Sequence, residues 1–374
     1  MLLACDHPVL RRSVECYKAL GAANQYMVAF TPIAISHSDR GFAAASTMVS
    51  PLPTICVLGS LNIDLVYYTP QHPSPGETLT STHSNVSPGG KGANQAVACA
   101  KLSRSRTLED ASIKVVMFGA VGADTHGSTL LESLQSYGVD VSEHVRRQGG
   151  AEHSTTGNAV VMVDERTGQN RIIFTPGANA SLRPESVSNL ANLRPSLLVM
   201  QLEIPLDTVL QALAAAKSVG VPVLLNPAPA FQLPEEAYSG LSHLILNETE
   251  VALLAQVDEA ELDDLNMVEK TASKLLAKGV QNLVITLGAR GAYYMSKNGQ
   301  NGFVPALKVN VVDTTAAGDT FIGMYSVLVV EASSRNLNFD ICAAVAKSTF
   351  ASAKTVSRRG AQVSIPWKDE LVLE

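Results

Sequence analysis

Thr54-Ile-Cys-Val-Leu-Gly59 is a short run, apolar at every position from 55 to 58 and stopped by glycine. It reads as a strand buried on both faces, because a strand with one wet face alternates apolar with polar residues. Similar runs recur at Lys114-Val-Val-Met-Phe118, Leu197-Leu-Val-Met200, Val221-Pro-Val-Leu-Leu225, Leu244-Ile-Leu246 and Leu283-Val-Ile-Thr-Leu287. Between them the apolar spacing turns helical over 92–102, 128–137, 206–217 and 268–278, and beyond them over 318–330 and 341–353. Strands of this kind alternating with amphipathic helices predict an α/β fold, a mostly parallel central sheet between two helical layers. Val309-Asn-Val-Val312 reads as one more strand.

Two stretches break the rhythm. Residues 65–86 alternate without a helix, and 154–176 hold two short strands around Thr167-Gly168 that suggest a hairpin. Together they could form a small sheet projecting from the body, either a lid that keeps water from the chemistry or ordinary edge strands. Residues 1–53 show no clean periodicity and end in the linker-like Ser46-Thr-Met-Val-Ser-Pro-Leu-Pro53, so a disordered leader is expected. Its Arg11, Arg12 and Arg40 stand beside Asp6, Glu15 and Asp39, which makes a targeting presequence the lesser expectation.

Composition narrows the function classes. Of 374 residues, 46% are hydrophobic and 17% charged, which argues for a sizeable core and against global disorder. A net charge of −6 without a Lys/Arg run argues against nucleic acid or a membrane surface as partner. No apolar run reaches the roughly 20 residues that span a bilayer. Cys5, Cys16, Cys56, Cys99 and Cys342 are odd in number and scattered, which fits free thiols in a reducing compartment. The cytosol is the expected location, with a nuclear pool left open.

Asp313-Thr-Thr-Ala-Ala-Gly-Asp-Thr-Phe321 carries the strongest chemical signal. It opens a helix, and its small residues let a phosphate approach first-turn N–H groups. Asp319 sits where a carboxylate could take a proton from an attacking hydroxyl, or could merely cap the helix. Ser87-Pro-Gly-Gly-Lys-Gly-Ala-Asn94 turns a strand tightly into a helix and offers Lys91 and Asn94 as donors. It matches neither a Walker A loop nor the dinucleotide fingerprint. Asn62 and Asp64 point the same way past the first strand, and Glu203 follows another strand. Acids and amides ringing a pocket suit a polyhydroxylated ligand. Asn247-Glu-Thr-Glu250 offers an amide for phosphate and an acid that could order hydrated Mg²⁺, or a plain helix start. Thr286-Leu-Gly-Ala-Arg-Gly291 is a tight loop that could admit a nucleotide.

Taken together over about residues 55–367, these segments resemble the ribokinases of the PfkB-type carbohydrate kinase family. The likeness rests on Gly89-Gly-Lys-Gly-Ala-Asn-Gln-Ala-Val97 and on 313–321, with Asn226-Pro-Ala-Pro-Ala230, Asn247–Glu250 and Arg359-Gly-Ala-Gln362 in support. It implies a three-layer αβα ribokinase-like domain over 54–367, with the two stretches as its β-sheet lid and homodimer contact, and a tail over 368–374. It implies ATP-dependent phosphorylation of D-ribose at O5. Asp319 would be the general base and the backbone of Ala316, Ala317 and Gly318 the anion hole. The sugar would be held by Asn62, Asp64, Gly90, Lys91, Gly92, Asn94 and Glu203, and faced by Asp319. ATP would lie along Asn247, Thr286, Leu287, Gly288, Ala289, Arg290, Gly291, Gly318, Asp319 and Thr349. Mg²⁺ would be ordered indirectly by Glu250. K⁺ would be held by Asp313, Thr315, Thr355, Arg358, Gly360 and Ser364, several through carbonyl oxygens.

This chain departs from the family at Ile322, where Asn is usual, and at Thr349, where His or Asn is usual. The same chemistry on 2-deoxyribose, fructose or adenosine is the nearest alternative, and a non-catalytic sugar-binding regulator is the alternative from another class.

Overall fold

The computed structural model describes residues 51–150, 155–167, 169–187 and 190–371. The expected leader therefore lies outside the described residues except for its last three, as does the tail beyond 371. The strands are β1 (Thr54–Leu58), β2 (Asn62–Thr69), β3 (His83–Gly89), β4 (Lys114–Gly122), β5 (Val139–Asp140), β6 (Val145–Gln148), β7 (Gly157–Asp164) and β8 (Asn170–Thr175). They continue with β9 (Leu197–Met200), β10 (Val223–Leu225), β11 (His243–Asn247), β12 (Asn282–Thr286), β13 (Gly291–Ser296) and β14 (Asn301–Pro305). The helices that matter here are α1 (Lys91–Leu102), α2 (Thr125–Ser136), α3 (Leu206–Ser218), α4 (Glu248–Ala255), α5 (Leu265–Ala277), α6 (Ala317–Ser334) and α7 (Ile341–Val356).

Among the described residues the main sheet has ten strands, in the order β14-β13-β12-β11-β10-β9-β1-β4-β5, with β6 also paired to β4. It is parallel from β12 across to β5, and antiparallel only where β13 and β14 close one edge. Two apolar cores lie on its two faces. Ile55 and Val57 of β1 enter the one that also holds α1, α6 and α7. Cys56 and Leu58 enter the other, which holds α3, α4 and α5. This double burial is why β1 is apolar at consecutive positions.

The chain leaves β1 for β4 on one side and later returns to β9 on the other. The carboxyl ends of β1 and β9 therefore flank a crevice at a switch point of the sheet, where ligands of open α/β sheets bind. Asn62 follows β1 and Glu203 follows β9.

A second sheet, β3-β2-β7-β8, stands apart. The expected hairpin is β7–β8, paired from Asn158↔Thr175 to Val163↔Asn170, although Gly168 lies outside the described residues. This sheet extends past the alternating stretch at both ends, back to Asn62 and on to Gly89, which pair with each other. Asn62 and Asp64 thus sit at its root. This sheet leaves Ile172, Ile173, Phe174, Tyr67 and Val86 exposed.

Two expectations are corrected. Val309-Asn-Val-Val312 is not a strand: its three valines are exposed, and it runs beside no other strand. The N–H groups of Val312 and Asp313 instead donate to the carbonyl of Val356 at the end of α7 (2.7 and 3.2 Å). β-Branched residues favour extended backbone, but a strand needs a partner edge as well. Among the cysteines, Cys56 and Cys99 are free and buried as expected, whereas Cys342 is disulfide-bonded.

Candidate active site

Asp319 lies in the first turn of α6, yet it does not cap the helix. The cap position is Ala316, in a left-handed conformation (φ 59°) and with no side-chain cap bond. The Asp319 carboxylate turns inward and is 8% exposed. One oxygen accepts from Asn94 Nδ2 (3.1 Å) and the other from Gln95 Nε2 (3.0 Å). Both donors stand near the start of α1, where neighbouring side chains diverge by about 100° and so reach different oxygens. Burial pushes the Asp319 carboxyl up from its ordinary range, opposed by Lys91 and by the two amide donors, and assisted by Glu203.

α1 begins on Gly90, whose positive φ of 88° suits glycine; a side chain there would meet Asn62 N at 2.7 Å. That close approach packs the α1 start against the root of the second sheet. Glu203 joins the two: its Oε2 accepts from Ser60 Oγ (2.5 Å), Lys91 N (3.1 Å) and Asn62 Nδ2 (3.4 Å). Asn62 Oδ1 in turn accepts from Asn179 Nδ2 (2.8 Å). Burial raises the Asp64 carboxyl to about 7, with Glu203 and Asp319 adding to the rise and Lys91 opposing it. Burial alone would lower the Lys91 ammonium, but Asp319, Glu203, Glu250 and Asp64 together hold it above its usual value. One cation among four carboxylates makes this a polar pocket that suits hydroxyls.

A cavity of about 240 Å³ opens beside Asp319. It is lined by Lys91, by Thr314, Ala316, Ala317, Gly318 and Ile322 at the α6 start, and by Asn226, Asn247, Glu250 and Thr286. Gly318 is exposed, and a Cβ built on it would meet nothing within 4 Å. The Ala317 N–H is taken by Thr314 O (3.2 Å), whereas those of Gly318 and Asp319 have no intrahelical partner, as first-turn amides do not. Asn247 and Glu250 form a reciprocal capping box at the start of α4 (2.8 and 2.9 Å), and Glu250 also accepts from Asn226 Nδ2 (3.3 Å). Burial raises the Glu250 carboxyl, against those hydrogen bonds and Lys91.

Of the loop 286–291, only Thr286 lines this cavity. Leu287 is buried; Gly288, Ala289 and Arg290 form one 3₁₀ turn, and Gly291 starts β13. The Arg290 guanidinium faces away, bonded to Leu262 O (2.8 Å) and Glu248 (2.6 Å). Thr349 is buried on α7 with its hydroxyl returned to Val345 O (2.9 Å).

The residues expected around K⁺ converge from two segments. Asp313 accepts from Thr315 N (2.9 Å) and Oγ1 (2.7 Å) with one oxygen and from Gly360 N (2.9 Å) with the other. Burial would raise its carboxyl, yet these bonds keep it below the usual range. Thr355 Oγ1 pairs with Thr320 Oγ1 (2.9 Å), Arg358 with Glu370 (3.0 Å), and Ser364 Oγ with Ala361 O (2.7 Å). The side chains of Thr355, Arg358 and Ser364 are thus all engaged within the protein. Among the described residues no three His, Cys, Asp or Glu side chains converge on a metal position.

Sequence reasoning missed Gln95, Ser60, Asn179 and Gln362. Gln95 and Gln362 stand inside quoted motifs, but nothing local marks their contacts; Asn179 carries no local signal at all.

The family model described as pfkB family carbohydrate kinase matches residues 52–368. A ribokinase of Schizosaccharomyces pombe is 43% identical over 317 residues, covering 83% of this chain and 94% of that protein. A deoxyribokinase of Salmonella typhi is 35% identical over 315 residues, covering 83% and 95%. The structure of Arabidopsis thaliana ribokinase complexed with ribose and ATP matches with a TM-score of 0.75 at 28% identity, covering 86% of this chain and 98% of that one.

Proposed function

The chain belongs to the pfkB family of carbohydrate kinases, and from that premise we propose that it transfers the terminal phosphoryl group of ATP to O5 of D-ribose. The carrying observation is the buried Asp319 carboxylate, held by Asn94 and Gln95 at the mouth of a cavity that the α6 start also lines.

In this reading the sugar lies between Asp319 and the Asn62–Asp64–Glu203 cluster, with Lys91 and Asn94 as donors and Gly90 and Gly92 keeping the backbone low. Asp319 takes the proton from the attacking hydroxyl as the new P–O bond forms. The first-turn amides from Ala316 to Gly318 receive charge on the moving phosphoryl group. Ala317 contributes once it gives up its bond to Thr314. ATP lies along Asn247 and Thr286, with the rest of the 286–291 loop and Thr349 behind. Glu250 would order the waters of a bound Mg²⁺, which would supply neutralisation of phosphate charge; few protein ligands are needed, as befits Mg²⁺. The turn 313–315 and the loop 355–364 would hold K⁺, their carbonyl oxygens standing in for its hydration shell. The small sheet closes over the sugar, and its exposed Ile172, Ile173 and Phe174 suit a homodimer contact. No helix among the described residues is long and apolar enough to cross a membrane. Cytosolic residence, with or without a nuclear pool, is an expectation that cell fractionation would test.

The choice of ribose is supported by the 43% identity to a ribokinase, and 2-deoxyribose is the second reading because a deoxyribokinase is 35% identical. A kcat/KM panel over ribose, 2-deoxyribose, fructose and adenosine, in KCl and in NaCl, separates these. Ribose should lead. A lead for 2-deoxyribose or adenosine would move the assignment, and turnover of none of the four would favour a sugar-binding regulator.

A further inference from the structure

Gln362 lies in the loop after α7, is 3% exposed, and reaches across to α1. Its Nε2 donates to Asn94 Oδ1 (3.2 Å), and its Oε1 accepts from Ser133 Oγ on α2 (3.2 Å). Its backbone carbonyl accepts from Lys101 Nζ (3.1 Å), a buried ammonium that also sits 5.2 Å from the ring centroids of Tyr137 and Trp367. Lys101 is two turns along α1 from Asn94 and so on the same face. Gln362 is thereby held at its backbone and at the far end of its side chain.

We propose that Gln362 is a positioning residue: it orients the Asn94 amide so that Asn94 presents Nδ2, and never Oδ1, to Asp319. Donor and acceptor chemistry sets the direction of this chain of bonds. An ionised carboxylate only accepts, so Asn94 must offer its nitrogen to Asp319. Asn94 Oδ1 is then turned toward Gln362, which must offer nitrogen in its turn. The Gln362 oxygen faces Ser133, whose hydroxyl can donate. The donor direction Ser133 → Gln362 → Asn94 → Asp319 is the arrangement that satisfies every member. It also ties the loop proposed to hold K⁺ to the proposed base, because Gln362 is only two residues beyond Gly360.

The proposal rests on Asp319 acting as the base. Gln362→Glu keeps the shape and replaces the donating nitrogen with an oxygen. Asn94 then turns its nitrogen toward position 362 and its oxygen toward Asp319, which favours the protonated, inactive form of that carboxyl. The surrounding Lys91, Asp64, Glu203 and Glu250 are unchanged. Expected is a loss of about tenfold or more in kcat at neutral pH, and an acid limb of the pH–kcat profile moved upward by about one unit, with partial recovery at higher pH. Gln362→Met, which introduces no charge, should lose less kcat and move the acid limb the same way. In an Asn94→Ala background either change should have little further effect. The idea is overturned if the folded Met variant keeps the wild-type kcat and acid limb, or if its loss of kcat leaves the acid limb in place and persists without Asn94. Failure of wild type to phosphorylate ribose would sink the functional reading instead, so the two failures are distinct.

Discussion

Asn94 Nδ2 donates to Asp319 Oδ2 over 3.1 Å, joining residues 225 positions apart in the chain. The contact brings the glycine-rich start of α1 to the glycine-containing start of α6, and with Gln95 it occupies both carboxylate oxygens. The helix start does not depend on Asp319, because Ala316 holds the cap position and no side chain caps it.

Asp319→Asn should still fold: an amide is cheaper to bury than a carboxylate, which offsets the facing of its new NH2 toward one of the two amide donors, so the melting temperature should change only modestly. Its kcat should fall by about 10²–10⁴, the range that loss of a general base produces. Circular dichroism and a coupled ADP assay check both halves, and near-wild-type turnover would remove Asp319 from the mechanism.

Gly318→Ala separates stability from activity. The new methyl has open space on the protein side, and alanine is the better helix former by about 1 kcal/mol. Stability should hold or rise while kcat falls, because the methyl enters space proposed for the phosphoryl group. Gly323→Ala, on the same helix, is the contrast: its methyl would meet Ala98 Cβ at 2.3 Å and destabilise the α1–α6 contact by about 1–3 kcal/mol. Urea melts of both variants, set beside their kcat, give the comparison.

Asp64 supplies a pH signature. Its carboxyl is raised by burial from 3.8 to about 7, so the folded protein holds the proton that the unfolded chain has already lost. The associated stability is full below the ordinary carboxylate range and is lost as pH rises through about 7. Asp64→Asn, which stays neutral, should match wild type in acid and exceed it by about 2–4 kcal/mol near pH 8. Equal denaturant midpoints at both pH values would show that Asp64 is not held protonated.

Asp313 tests the cation reading. It stitches Thr315 to Gly360, so Asp313→Ala should cost about 1–3 kcal/mol. The ratio of kcat in KCl to kcat in NaCl should also fall toward one. A ratio kept at the wild-type value would place the cation elsewhere, or nowhere.

Much of this protein is set locally. Consecutive apolar residues at 55–58 and their repeats specify strands buried on both faces, and hence a parallel sheet, because no other pattern satisfies two covered faces. The glycine-rich turns at 89–92 and 316–318 announce backbone that must run close to something, and the motifs that resemble carbohydrate kinases pick out Asp319 as an acid of consequence. What the tertiary structure decided were the long-range partnerships. Local pattern could not tell whether Asp319 caps its helix or faces Asn94 and Gln95, since both uses suit a first-turn carboxylate. It made a strand of Val309–Val312, because propensity is local whereas a ladder needs a neighbouring edge. It cut the root of the small sheet three residues short on both strands, at Leu65 instead of Asn62 and at Val86 instead of Gly89, and it gave Gln362 no role. A hydrogen bond between distant residues depends on how helices dock, and docking is fixed by close approaches such as Gly323 on Ala98, which no single segment encodes.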